Sequence, residues 1–456
     1  MRFRTAALVA PLLLVVASCG ARLTDAERLA GIRSLGRGGS VAVGPGEPGA
    51  TVGPGATVGP GATTGPGATT GPGAVIPPGG NGGATDTGVT ANSITLAVAS
   101  DISGVQPGLF KSTHQAMSAW AAMVNSQGGL YGRSVKLILQ DTQARDTENQ
   151  AAVQDACEKA FALVGSMSAF DGGGAKAGEQ CGIPDISAIT VNAARQTASN
   201  VYAANPIQPT ELAVGQGNYI KSLYPEAIKK AAMIYLNAGV TKANALQRVE
   251  GYKKIGFVFK LYEVQVLEAN YGPIVQRLKD DGIRYVTMVA NYQSIQKLLG
   301  AMDQADWYPE VRDWDSVAYS QNFLKVGAPA NGSLVFTTSA IYEEVSSNPE
   351  MQLYAQWLNR VAPGTKPDYF GFYAWSAGRL FAHAHQAAGA KITRKGLLAA
   401  LRNIHTWTSN GLHAPHDIGG RHQSNCFMYV EIKDGKFVRK HPGSGFECNM
   451  GGLVKT

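Results

Sequence analysis

Residues 161–193 read FALVGSMSAFDGGGAKAGEQCGIPDISAITVNA. An apolar run from Phe161 leads into a glycine-rich loop, then a helical stretch that closes at Cys181, then a second apolar run after Gly182. Strand, turn, helix and strand in that order make one unit of a parallel α/β sheet, and the loops at the ends of such strands line a ligand crevice. Asp171, directly before Gly172-Gly173-Gly174, is expected to cap the helix. Those glycines miss the G-x-G-x-x-G spacing and follow a third strand, which argues against a dinucleotide site.

Working outward, the alternation continues in both directions. Ile94–Ala99 is a nearly continuous apolar strand, and after it Met117, Trp120, Ala121 and Val124 fall at i, i+3, i+4 and i+7 of a helix. Val135–Leu139 reads as the next strand, followed by a helix capped by Thr147 and Gln150 that places Ala152, Val153, Ala156, Cys157 and Ala160 on one face. A second set begins after Pro206 and Pro209. Strands are expected at Ala232–Leu236, Phe257–Phe259, Tyr285–Val289, Ser316–Tyr319 and Leu334–Thr337, with helices from Thr241 and around Ile295–Met302. Two amphipathic helices follow, carrying Tyr354, Trp357, Leu358 and Val361, then Phe370, Ala374, Ala377, Phe381 and Ala384. A hairpin at Phe427–Ile432, Asp434-Gly435 and Phe437-Val438 closes the chain. With 456 residues and about 150 per domain, two α/β units with parallel sheets and right-handed crossovers are expected.

The first 90 residues are of another kind. Arg2 and Arg4 precede an apolar stretch, Ala6–Ala17, too short to span a bilayer, and Val16-Ala17-Ser18-Cys19 resembles a bacterial lipobox. Residues 1–18 therefore read as a signal peptide and Cys19 as a lipidation site; an ordinary secretion signal would export the chain equally. From 19 to 90 the composition is that of a tether. TVGPGA occurs at 51 and 57 and TTGPGA at 63 and 69, with glycine spacing that excludes a collagen triple helix and too little apolar surface to fold. A Thr24-x-x-Glu27 capping box could open a short helix over Leu23–Leu35. Two of the seven net positive charges belong to Arg2 and Arg4, and the rest are scattered, so nucleic-acid binding is not expected.

In an exported chain the remaining cysteines are expected to pair. Four cysteines allow three connectivities; spacing favours Cys157 with Cys181 and Cys426 with Cys448, each closing a loop worth about 3 kcal/mol in the chain-entropy account. Without a CxxC pair, a thiolate zinc site is disfavoured. His413, His416, Asp417 and His422 share a loop with Pro and Gly and are expected to be solvated, and His383 and His385 point to different helix faces, so no metal and no cofactor is expected. Trp375-Ser376-Ala377-Gly378 lacks the first glycine of a hydrolase elbow and sits inside a helical pattern, so Ser376 reads as structural and no enzyme is expected.

Three phrases carry a resemblance: ITLAVASDISG at 94–104, QGGLYGRSVKLILQDTQ at 127–143, and GIPDISAIT at 182–190. Together they resemble the solute-binding lipoproteins of ABC importers, in the branched-chain amino-acid (Leu/Ile/Val) binding family, over Ile94–Val438. The pattern GG-x-x-GR-x-V-x-L-x-x-x-D at Gly128–Asp141 is the most characteristic. The resemblance implies a type I periplasmic-binding fold, with two Rossmann-like lobes joined by a three-crossing hinge and a ligand cleft between them. Lobe 1 is expected to take 91–208 and 339–420, and lobe 2 to take 209–338 and 421–456. It further implies a monomer, anchored at the outer face of the cytoplasmic membrane, that hands a small-molecule solute to permease and ATPase subunits. No P-loop lysine motif is present, so ATP hydrolysis falls to those partners. A receptor ectodomain that senses a ligand for a membrane signalling partner is the alternative, since fold alone does not settle function.

Carried across position by position, the family's binding residues change character. Its serine after the third strand falls on Ala169, beside Ser168 and Phe170. Its backbone carbonyl and threonine fall on Ile189 and Val191, with Thr190 between. Its first-loop aromatic matches Phe110 or Leu109, its lobe 2 tyrosine falls near Val240, and its lobe 2 acidic group falls near Gln321. A zwitterionic amino acid needs donors for its carboxylate and a negative group for its ammonium once desolvated. Val191 and Gln321 weaken both. The expectation is a less charged or more apolar solute, walled by Phe110, Phe170 and Tyr292 and contacted by Ser168, Thr190 and Gln321.

Overall fold

In a computed structural model, residues 76–456 are described. The signal peptide, Cys19, the helix expected at Leu23–Leu35 and the hexapeptide repeats lie outside the described residues.

All but Thr95 of β1 (Ser93–Ser100) is buried, because the run SITLAVAS is covered on both faces, as parallel strands with helical crossovers require. The chain continues through α1 (Lys111–Ser126), β2 (Ser134–Asp141), α2 (Asp146–Lys159), β3 (Ala162–Val164), α3 (Ala175–Cys181) and β4 (Asp185–Ile186). These strands form a parallel sheet in the order β2-β1-β3-β4. After the short α4 (Ala193–Thr197), the chain passes to a second body through β5 (Glu211–Ala213), α5 (Gly215–Leu223), β6 (Ala231–Leu236), α6 (Thr241–Lys253), β7 (Phe259–Val264), α7 (Gly272–Asp280), β8 (Tyr285–Val289), α8 (Tyr292–Gln304), β9 (Val311–Trp314) and β10 (Leu334–Thr337). It then returns, and α9 (Pro349–Val361) and α10 (Tyr369–Ala388) pack against α1, with α11 (Arg394–Leu401) against α10. A third passage reaches β11 (Met428–Lys433) and β12 (Lys436–His441), which complete a sheet ordered β12-β11-β10-β9-β8-β6-β7. That sheet is parallel from β7 to β10 and antiparallel at the terminal hairpin. Last, β13 (Leu453–Lys455) pairs antiparallel with β5.

The two layers are thus joined by three passages, near residues 205–210, 338–348 and 402–427, and the second and third touch where Ser339 bridges His413. Close approach of α10 to α1 depends on Gly378, where a Cβ would stand 2.5 Å from the Trp120 ring. Both disulfides, Cys157–Cys181 and Cys426–Cys448, form as the spacing favours.

Several details differ from expectation. Residues 81–90, assigned to the tether, are packed on the first body. The fully buried Arg133 donates from Nε to the Thr90 carbonyl (2.7 Å), from Nη1 to Ala390 (2.8 Å), and from Nη2 to Gly83 (3.0 Å) and Asn81. The strand expected at Ser316–Tyr319 lies earlier, at Val311–Trp314; Arg312 and Asp313 disguise it, and Asp313 is buried against the hydroxyls of Tyr285 (2.6 Å) and Tyr429 (3.2 Å). β7 runs beyond Phe259 to Val264 because an edge strand tolerates exposed Lys260, Leu261 and Glu263. α2 starts at Asp146 and has no side-chain cap, so Thr147 and Gln150 lie inside it. Nor does Asp171 cap a helix, for α3 begins four residues later behind Gly174.

Candidate functional site

The carboxyl ends of both parallel sheets face one cleft of about 310 Å³, the position where α/β sheets hold ligands. Its first wall is built by two buried aspartates. Asp101, just past β1, accepts from Thr142 Oγ1, the Ala144 amide (3.2 Å), Ser168 Oγ (2.8 Å) and the Ala169 amide (2.8 Å), tying three loops together. Burial pushes its carboxyl up while these donors pull it down. Asp171 accepts from the amides of Val191 and Asn192, each at 2.9 Å, and so clamps the loop after β4 to the loop after β3. Burial raises it to about 7 despite the charge of Arg195, which pairs with Asp185 at 2.6 Å.

These clamps bring Phe110, Ala169, Phe170, Ile189 and Val191 to the cleft wall. Phe110 meets Phe370 of α10 edge to face, with ring centroids 4.7 Å apart. The other four candidates lie elsewhere. Ser168 is buried behind the wall, donating to Asp101 and accepting from the Phe170 amide (3.0 Å). Thr190 is buried with its carbonyl on Gln196 Nε2 (3.2 Å). Tyr292 opens α8 and packs on the core, its neighbour Asn291 taking the place at the wall, and Gln321 stands off the wall altogether.

The second wall comes from the ends of β6, β8, β9 and β10 with α6. Leu236, Val240, Val289 and Phe336 make it apolar, and Asn244, Gln247 and Arg248 project from one face of α6. The acidic group at this wall is Asp315, not a residue near Gln321. Its Oδ1 accepts from the Val317 amide (3.2 Å) and its Oδ2 lies 3.3 Å from Arg248 Nη2. At the rim the layers meet: a Cβ on Gly239, whose φ is +50°, would stand 3.1 Å from the Ala169 carbonyl oxygen.

The hinge side carries a polar chain that the sequence reading placed in solvent. His413 and His416 are both 1% exposed. The Ser424 amide donates to His416 Nδ1 (3.0 Å), leaving Nε2 to donate to Tyr373 Oη (2.9 Å), which lies 2.7 Å from Thr338 Oγ1. Burial, and then the neighbouring His413, drive His416 well below its usual pKa, and burial takes His413 down to about 4. The Ser376 hydroxyl lies 2.8 Å from His413 Nε2 and accepts from Trp407 Nε1 (2.8 Å), fully enclosed. Asp417 and His422 are engaged with His405 (2.8 Å) and Glu211 (2.7 Å). Among the described residues no grouping of His, Cys, Asp and Glu could hold a metal ion, and no helix is long and apolar enough to cross a membrane.

Sequence reasoning missed Arg248, Asp315, Thr338 and His416. For Asp315 a signal existed: it directly follows a strand, once that strand is ended at Trp314.

Two sheets facing one apolar cleft across three passages define a two-lobed solute-binding architecture, and the chain belongs to the periplasmic binding protein family, whose profile matches residues 93–436. Solved structures with this fold include a fatty acid ABC transporter substrate-binding protein from Thermomonospora curvata (TM-score 0.67, 17% identity, 80% of this chain and 94% of that one). The branched-chain amino acid transporter substrate-binding protein of Streptococcus pneumoniae, in complex with isoleucine, superimposes with a TM-score of 0.64 at 13% identity, over 76% of this chain and all of the other (100%). A solute-binding protein of an ABC transporter from R. palustris, in complex with 4-hydroxybenzoate, gives 0.63 at 18% identity, over 76% and 96%. No curated protein sequence matches the chain significantly.

Proposed function

We propose that this protein captures a small organic solute outside the cytoplasm and delivers it to the permease and ATPase subunits of an ABC importer. The observation that carries the reading is the apolar cleft at the carboxyl ends of both sheets, in a chain of the periplasmic binding protein family. Solute that contacts both walls favours the closed arrangement, and that preference is the signal a permease reads. The protein itself performs no chemistry. It acts as a monomer held to the membrane by lipid on Cys19, with the segment before residue 81 as its tether.

The solute is less charged or more apolar than a free amino acid. Phe110, Ala169, Phe170, Ile189 and Val191 form its first wall, and Ser168 and Thr190 support that wall from behind. The structural neighbours include a fatty acid ABC transporter substrate-binding protein and proteins in complex with isoleucine and with 4-hydroxybenzoate, so the fold accepts apolar bodies of several shapes. A thermal-shift screen of the whole chain, with amino acids, amides, aromatic and aliphatic acids, short peptides and sugars, tests the reading. A true ligand at about 100 times its Kd adds roughly 2.7 kcal/mol. Tight binding of leucine or isoleucine by isothermal titration would refute the apolar assignment, and silence across all classes would refute solute capture.

A further inference from the structure

The cleft wall contains two residues with full charge among the described residues, Arg248 and Asp315. Their pairing is unequal. Asp315 uses both carboxylate oxygens, one on the Val317 amide and one toward Arg248. Arg248 uses one nitrogen, Nη2, in a single 3.3 Å contact, while Nε and Nη1 have no hydrogen-bond partner among the described residues. Elsewhere in the molecule the Arg439 fork engages Glu344 through two nitrogens, Nε and Nη2, at 2.5 and 2.6 Å. The fork of Arg248 is therefore half used, and its guanidinium carbon sits 5.4 Å from the Phe336 ring centroid, a contact that fixes its plane.

Hydrogen-bond accounting then says what is missing. The larger surplus is on the donor side: Arg248 uses one of its about five N–H groups and Asp315 about two of its roughly four acceptor sites, so the group best matched to the spare capacity is an anion. Around it the wall is apolar, through Leu109, Phe110, Phe170, Leu236, Val240 and Val289. An ammonium brought into the same space would have to share Asp315 with Arg248 and the Val317 amide, beside a guanidinium of like charge.

Resting on the solute-capture reading above, we propose that the solute is a monocarboxylate with an apolar body and no ammonium group. Its carboxylate is held by the N–H groups of Arg248 that Asp315 leaves free, along one edge of the guanidinium, and its body lies along the aromatic and aliphatic wall. Arg248 is thereby the specificity-determining residue of the cleft, and Asp315 orients it at the expense of some attraction for the anion.

Isothermal titration of the whole chain tests this with hexanoate, octanoate and phenylacetate, each against its own amide, and with leucine and isoleucine. At least one carboxylate binds, and its amide binds about 10- to 100-fold more weakly, the range of a charge-assisted hydrogen-bond pair. Arg248→Gln removes that difference between acid and amide. Asp315→Asn acts in the opposite direction and tightens the carboxylate about 3- to 10-fold, because the repulsion is gone and Nη2 is released. A fold lost through Arg248→Gln leaves the wild-type acid/amide ratio and the sign of Asp315→Asn as independent readouts. Equal binding of acid and amide, or weaker carboxylate binding by Asp315→Asn, overturns the proposal. Binding of leucine, isoleucine or the neutral amides alone overturns it while leaving solute capture standing; no binding by any compound in this panel or in the wider screen overturns both.

Discussion

Lowering the pH should loosen the hinge through His413. This residue sits on the third passage between the layers, 1% exposed, with its ring stacked 4.9 Å from Tyr373. Nδ1 lies 2.8 Å from the Ala414 carbonyl, so Nδ1 carries the proton, and Nε2 accepts from the Ser376 hydroxyl at 2.8 Å. A second proton would place a full charge on a buried ring, and that burial takes the group down to about 4 from 6.5. The unfolded chain takes up this proton near 6.5, while the folded chain resists it until about 4. Stability is therefore complete above about 6.5 and is lost as pH falls through that window. At 1.36 kcal/mol per pKa unit, the loss from this residue between pH 7.5 and 4.5 is about 2.5 kcal/mol. Urea denaturation at both pH values measures it, in the wild type and in His413→Gln, whose amide can serve both partners without titrating. The variant is less stable at pH 7.5, having lost the stacked ring, yet loses about 2.5 kcal/mol less than the wild type on acidification. An identical loss in the two proteins would refute the assignment of a buried neutral imidazole, and the contribution of His385, also lowered to about 4 by burial, remains in both as an internal reference.

Asp101→Ala strands donors from Thr142, Ala144, Ser168 and Ala169; a destabilisation of roughly 2–4 kcal/mol and at least about tenfold weaker solute binding are expected by denaturation and titration. Gly239→Val meets the Ala169 carbonyl and a positive φ at once, so solute affinity should fall with little change in the far-ultraviolet circular dichroism, whereas unchanged affinity would show that the rim contact is dispensable. Replacing Cys426 and Cys448 together by serine should lower stability by about 3 kcal/mol in the chain-entropy account, and the melting temperature reads it.

What the sequence made legible was whatever rests on a one-dimensional pattern. β1, β6 and β8 are continuous apolar runs because helices cover both their faces, α8 and α9 bury an apolar stripe, and α1 and α10 are apolar over a broader face, so pattern found them. β9 escaped because VRDW puts an arginine and an aspartate in a central strand, and partners on other strands, Tyr285 on β8 and Tyr429 on β11, make Asp313 tolerable there. α7 was passed over in the stretch between two strands, although GPIVQRLKD buries Ile274, Val275 and Leu278 at helical spacing behind an N-terminal proline. The solvated reading of His413 and His416 failed for the same reason as β9: local composition around Pro415 and Gly419 describes a surface loop, and the enclosure comes from α10, which lies far away in sequence.

The site was legible on one side only, and the asymmetry has a physical cause. In the first lobe the wall is made by loops that follow strands directly, so counting from a recognised strand end leads to Phe110, Ala169, Phe170, Ile189 and Val191, all of which line the cleft. Side-chain roles were harder, because a polar residue in such a loop can either face the cleft or brace the loop from behind. Ser168 does the second, its hydroxyl donating to Asp101, and Thr190 is buried with its backbone carbonyl accepting from Gln196. In the second lobe the wall depends on a strand end that was misplaced and on α6, whose polar residues look like a solvated helix face when read alone. The spacing of Asn244, Gln247 and Arg248 puts them on one side, but nothing local says that this side is roofed by another lobe. The same reasoning explains why charge was misjudged. Sequence position suggested that the lobe 2 acid had been replaced by Gln321, which weakens the hold on an ammonium. The three-dimensional wall instead carries a paired acid and a half-occupied arginine, so the less charged solute expected from the sequence is narrowed, on the proposal above, to one with a single anionic group.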